Sequence, residues 1–216
     1  MDYGNILGES FAYAKDALVG KWMQWVLLLV ATILLAIPLL GYSLKVLRGE
    51  KPAPEVTGWG TLIIDGIKCL IVSIIWAIPA LIIFFVMLGS LAGALVSGNP
   101  ATALAFIGGA ILGFVIFIIV ALITGLLATI GIVRFARTGS MGEAFNFGAI
   151  LETIGKLGWV SYFIALLIIG VIIGIIEVVL TSVPVVGQLI LFILLPFLVL
   201  WHCRYICLVY DSAGAA

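Results

Sequence analysis

The sequence predicts an all-α, polytopic helical membrane protein with about five transmembrane helices and amphipathic helices at the bilayer surface. Three observations carry that prediction. Hydrophobic residues fill 65% of the 216 positions and charged residues only 9%, with a mean hydropathy of +1.40; a soluble domain carries about 25% charged residues. The charges are clustered, and none falls between Trp22 and Leu44, Cys69 and Val133, Leu157 and Ile176, or Val178 and Cys203. Each gap matches or exceeds the roughly 20 residues that a helix needs to cross a hydrocarbon core of about 30 Å. Inside lipid the backbone must satisfy its own hydrogen bonds, so these stretches are helical whatever their content of β-branched residues.

Residues 1–21 form the first element. Leu7, Phe11, Ala14, Leu18 and Trp22 fall on one helical face and Glu9, Tyr13 and Asp16 on the other, the pattern of a surface helix. Asp2 and Glu9 precede the first apolar run, so a cleavable secretory signal is not expected. The first span covers 22–47, with Trp22 and Trp25 at one boundary, Lys45 and Arg48 at the other, and a kink expected at Pro38. A second interfacial helix is predicted over 56–68, where Leu62, Ile63 and Ile67 oppose Thr61, Asp65 and Lys68. It leads into a span at 69–96 that contains Pro79. The polar break Ser97-Gly98-Asn99-Pro100 supplies an N-cap at Asn99 and a proline at the first helical position. At 1.5 Å per residue the third span, 100–133, is about 50 Å long and must tilt, bend or extend into water.

A third amphipathic helix is expected over 140–156. Ser140 and Glu143 form a capping box, and Phe147, Ile150, Leu151, Ile154 and Leu157 oppose Asn146, Thr153 and Lys156. Spans at 157–180 and 187–208 complete a single transmembrane domain, joined by an uncharged turn at 181–188 that sits partly within the membrane. Trp59-Gly60 with Lys68 aligns at a fixed offset with Phe147-Gly148 and Lys156. A duplicated unit would explain this alignment, although convergent amphipathicity is the preferred reading.

Topology follows from the basic residues. Five crossings place Lys45, Arg48, Lys51, Lys68, Arg134, Arg137, Lys156 and Arg204 on one side, and Lys15 and Lys21 on the other. The positive-inside rule then makes the first side cytoplasmic, with the C-terminus, in a cell membrane. On that scheme the three amphipathic helices do not share a face. They share one if the first span re-enters at Pro38, or if an extra crossing precedes Trp59.

Catalysis needs a nucleophile with a base, a metal cluster or paired carboxylates held together. No such set stands out, so neither an enzyme nor a bound cofactor is expected. Ten Lys and Arg offset ten Asp and Glu, which argues against a nucleic-acid partner. His202, the single histidine, with Cys203 and Cys207 is too sparse for a metal site, and Cys69, Cys203 and Cys207 read as small core residues. An ionisable side chain at membrane depth is costly to insert, which makes Glu177, about one turn inside its span, the candidate intramembrane polar site. It could line a polar cavity, pair with another subunit or reach the headgroups. Asp65 and Lys68, three apart on one helical face, are a candidate interfacial pair. Of four GxxxG spacings, Gly4/Gly8, Gly89/Gly93, Gly109/Gly113 and Gly170/Gly174, the last two lie well inside spans and are candidate helix-packing surfaces.

Several short segments point to a family. Ser10-Phe11-Ala12-Tyr13 with Asp16 and Lys21-Trp22, Ile37-Pro38 with Gly41-Tyr42, Trp59-Gly60, Asp65-Gly66-Ile67-Lys68 and Val183-Pro184-Val185-Val186-Gly187 resemble the domain of unknown function 4013 family over most of the chain. The resemblance implies a compact multi-pass membrane fold, mainly archaeal, and supplies no activity. The function expected is structural or accessory: a membrane protein that associates with copies of itself or joins a larger membrane complex, and holds to membrane lipids through amphipathic helices. The alternative is a small channel or transporter for an ion or small solute, with broken helices near Pro79, Pro184 and Pro196 and Glu177 lining the path.

Overall fold

In a computed structural model, described over residues 1–214, the chain is helical with no strand among those residues. The order is α1 (Tyr3–Leu18), α2 (Trp22–Ile33), α3 (Ile37–Leu47), α4 (Trp59–Val96), α5 (Pro100–Thr138), a short 3-10 helix (Met141–Phe145), α6 (Phe147–Leu157), α7 (Trp159–Thr181) and α8 (Val186–Asp211). Four of these, α4, α5, α7 and α8, are long and apolar enough to cross a membrane; a fifth span would require α1 and α2, bent by 98°, to count as one. The protein is a multi-pass helical membrane protein. Where a single domain is expected, the chain divides into two compact units, residues 1–71 with 129 onward, and residues 72–128.

The first unit is organised around α3, whose Pro38, Leu39, Gly41, Tyr42, Ser43, Leu44, Val46 and Leu47 are buried. Two glycines let α3 meet the start of α4 backbone to backbone. A Cβ added to Gly41 would stand 1.9 Å from the Leu62 carbonyl oxygen, and one added to Gly66 would stand 1.9 Å from that of Ile37. Only hydrogen fits at either point. α1 packs along α8, where Phe11 meets Phe197 and Trp201 edge-on at 5.3 and 5.1 Å. At the far end of α7, a Cβ on Gly187 would meet the Leu180 carbonyl oxygen at 1.7 Å, so the α7–α8 turn closes just as tightly.

The second unit is the hairpin of residues 72–96 and 100–128. Its pairing is antiparallel, with Phe84 on Phe117 at 6.0 Å between ring centroids, and Met87 and Phe106 against Gly113 and Gly93. Asn99 caps α5 as expected: the Ala101 N–H donates to its Oδ1 at 2.9 Å. Ile82, Phe85, Val86, Ile111 and Leu112 are exposed, as side chains solvated by acyl chains should be.

Three expected elements are corrected. The stretch 22–47 is not one span but two short helices, α2 and α3, of about 18 and 16 Å at 1.5 Å per residue. α2 closes on Leu34, after which Leu35 and Ala36 both turn left-handed at φ 57°. Pro38 then stands in the first turn of α3, where its missing N–H costs nothing, so it starts a helix rather than kinking one. The two helices fold back on each other: Gln24 Nε2 donates to Tyr42 Oη at 3.1 Å. The helix expected at 56–68 is not separate, because no breaker interrupts α4 from Trp59 to Val96 and Pro79 is absorbed within it. The helix expected at 140–156 is the 3-10 turn followed by α6. Ser140 makes no side-chain cap bond; Asn146 caps α6 instead, accepting from the Ala149 N–H at 3.2 Å.

Candidate functional site

One end of the first unit gathers every arginine of the chain, each with a carboxylate. Helix ends bring them there. Arg48 follows α3, Arg134 and Arg137 lie in the last turns of α5, and Arg204 and Asp211 in the last turns of α8. Arg48 pairs with Asp65 of α4 at 2.7 Å and donates from Nε to the Ala136 carbonyl at 3.3 Å. Arg137 pairs with Asp211 at 2.6 Å, donates to the Leu47 carbonyl at 2.8 Å and reaches Cys207 Sγ at 3.1 Å. Arg134 pairs with Glu143. That bond, with the amide of Asn146 beside it, holds the Glu143 carboxyl below the ordinary carboxylate range.

Arg204 is the deepest of the four, only 2% exposed. Its guanidinium lies 4.8 Å from the Tyr13 ring and 3.6 Å from Glu9 Oε1, both on α1. Glu9 also takes Lys51 Nζ at 2.5 Å, and Tyr13 donates its hydroxyl to the Glu50 carbonyl at 3.0 Å. Nε of Arg204 is buried without a hydrogen-bond partner. A charge this deep persists only when paired, so α1 is held to α8 by a side chain that cannot easily release it. Chemically, this end is a lattice of neutralised cations that ties α1, α3, α4, α5 and α8 together.

The residues singled out from sequence fall in different places. Asp65 and Lys68 do not pair. Asp65 faces back across the Gly66 crossing to Arg48, while Lys68 is half-buried and makes no ion pair among the described residues. Gly109 and Gly113 pack inside the second unit, with added Cβ atoms meeting Ser90 Oγ at 3.7 Å and Met87 Cβ at 3.4 Å. Gly170 and Gly174 face open space, nothing lying within 4 Å of a Cβ at either. Glu177 lies on that same face of α7, since positions 170, 174 and 177 fall within about 60° at 3.6 residues per turn. Its side chain is exposed, and no ion pair engages it among the described residues. It also lines a shallow groove of about 180 Å³ with Ile173, Leu195, Leu198, Val199, His202 and Cys203.

Metal-binding geometry is missing among the described residues: no three His, Cys, Asp or Glu side chains come together. Sequence reasoning did not find the arginine lattice or the Gly41–Gly66 crossing. Four arginines confined to the edges of apolar runs were the available signal for the first, while single glycines without GxxxG spacing offered none for the second.

Residues 25–185 match the model of a family described as a protein of unknown function, DUF4013. No curated protein and no solved structure matches the chain.

Proposed function

The chain belongs to the DUF4013 family, whose description carries no activity, and from its own residues we propose that it is a structural or accessory membrane protein, not an enzyme, that self-associates through α7. The observation that carries this reading is the combination of Gly170, Gly174 and Glu177 on one exposed face. Lipid packs poorly into a cleft where two Cβ atoms are missing, whereas a second helix can bring its backbone close there. A carboxylate beside that cleft gains a hydrogen-bonding partner from a neighbouring helix and otherwise stays unpaired in hydrocarbon.

The charged end faces the cytoplasm in this reading. With α2 and α3 folded back on each other, the crossings are α4, α5, α7 and α8, so Lys15 and Lys21 join the other eight basic residues on one side. The far side holds only residues 97–99 and 182–185, which carry no charge. Such an asymmetry is what the positive-inside rule favours. Trp59 and Trp159 each open a membrane-crossing helix on the charged side, which suits an aromatic belt at the headgroups.

The test is the oligomeric state in lipid nanodiscs, read by mass and by cross-linking, for the wild type and for Gly170→Leu/Gly174→Leu. Wild-type dimers or larger rings that become monomers in the double variant support the reading. A wild type that is monomeric at every protein-to-lipid ratio overturns it. A second reading, a channel or transporter, draws on the groove that Glu177 shares with His202. Ion or solute flux in liposomes that disappears in Glu177→Gln would favour it, yet α4 and α8 run unbroken through Pro79 and Pro196, which removes two of the three interruptions it needs.

A further inference from the structure

A groove of about 440 Å³ opens at the charged end of the first unit, lined by Lys21, Met23, Gln24, Leu27, Glu55, Val56 and Thr57. Its chemistry is divided. Lys21 and Glu55 are exposed, and neither has an ion pair among the described residues, although most other charges at this end are matched. Met23, Leu27 and Val56 make the apolar wall. The groove is rigidly built, because Gln24 Nε2 bonds both Tyr42 Oη and the Pro54 carbonyl at 3.1 Å, and the Tyr42 hydroxyl reaches the same carbonyl at 2.7 Å. Lys45 Nζ fixes the other strand of the loop through the Thr57 carbonyl at 3.2 Å.

Its depth follows from its neighbours. Trp59 opens α4 two residues after Thr57, and tryptophans concentrate at the headgroup level of a bilayer; Trp22 and Trp25 stack at 5.7 Å, and the Trp25 indole N–H reaches the Ile193 carbonyl of α8 at 2.9 Å. An unpaired cation and an unpaired carboxylate, set together above an apolar wall at that level, complement a molecule carrying an anion, a cation and an acyl chain. α2 also begins there without a side-chain cap, so its dipole adds to the positive charge of Lys21. We propose that this groove binds one phospholipid with a zwitterionic, amine-bearing headgroup, its phosphate on Lys21, its ammonium on Glu55 and its acyl chains along Met23 and Leu27. The proposal shares no residue with the α7 face, and either can fail without the other.

The full-length protein in detergent is titrated with phosphatidylethanolamine or phosphatidylglycerol, and bound lipid is counted by native mass spectrometry. The wild type should retain phosphatidylethanolamine over phosphatidylglycerol. Glu55→Gln should lower that preference about threefold, the scale of one interfacial ion pair, and Glu55→Lys should reverse it. Lys21→Gln should weaken both lipids. Equal retention of the two lipids by the wild type, or an unchanged preference in the Glu55 variants, overturns the proposal. Soluble phosphoethanolamine should not compete at equal concentration; if it binds as well as the lipid, the groove is a free-anion site and the lipid assignment falls. Both side chains are exposed and unpaired, so melting temperatures equal to that of the wild type should accompany all three variants.

Discussion

Replacing Gly66 with Ala tests the α3–α4 crossing on which the first unit is built. The new Cβ would lie 1.9 Å from the Ile37 carbonyl oxygen and 2.8 Å from its carbon. An ordinary carbon–oxygen contact is about 3.3 Å, so the helices must part by about 1.4 Å. Both partners are backbone, and no side chain can rotate away. Overpacking of this kind costs about 1–3 kcal/mol, and the upper part of that range applies where nothing yields. Against it stands the better helix propensity of alanine, about 1 kcal/mol. The net loss is about 1–2 kcal/mol, or a fall in melting temperature of about 2–8 °C for a chain of this size. Thermal unfolding in detergent, followed by circular dichroism, measures it. Gly155→Ala on α6, where nothing lies within 4 Å of an added Cβ, is the control and should melt at or above the wild type. Gly41→Ala/Gly66→Ala should cost less than the two single changes together, because one separation relieves both clashes. A Gly66→Ala protein as stable as the wild type would refute the backbone contact.

Three further outcomes follow from the same geometry. Arg204→Ala, which empties a buried site beside Tyr13 while Glu9 keeps Lys51, should cost about 2–3 kcal/mol in lost packing and free α1, so limited proteolysis within residues 1–18 should accelerate; unchanged cleavage would count against the clamp. The Glu143 carboxyl, held below its ordinary value of 4.5 by Arg134 and Asn146, contributes stability that is fully present above that value and is lost as pH falls through its lowered folded pKa; in Glu143→Gln the acid-side loss between those two limits should be smaller. Ala36→Gly relieves a left-handed residue at φ 57°, a conformation that costs about 1–2 kcal/mol for an L side chain, partly offset by the chain entropy of glycine, so the melting temperature should rise by about 2 °C.

Legibility from sequence tracked how local each feature is. The long apolar runs and the Asn99 cap were readable because lipid exposure and capping depend on neighbouring residues. The α2–α3 reversal was not, since Leu34-Leu35-Ala36 carries no glycine to announce a left-handed turn; Pro38 marked the place but suggested a kink. Helical spacing alone pairs Asp65 with Lys68, yet Arg48, 17 residues away, brings a planar guanidinium to the same carboxylate. Arg137 and Asp211 are 74 residues apart, and no spacing rule links them. The α7 glycines and Glu177 are visible as residue types, but only the folded helices separate the outward pair from Gly109 and Gly113, which pack internally.

The uncharged turns at 97–99 and 182–185 bear on how the chain enters the bilayer during synthesis. Each joins two long apolar helices through three or four residues, so α4 with α5, and α7 with α8, can be threaded as finished pairs. Apart from Glu177, no ionised group lies between Cys69 and Val133 or between Leu157 and Cys203, the stretches that must cross. Insertion would then draw on burial of apolar surface alone, and dissipating the membrane potential should leave it unaffected.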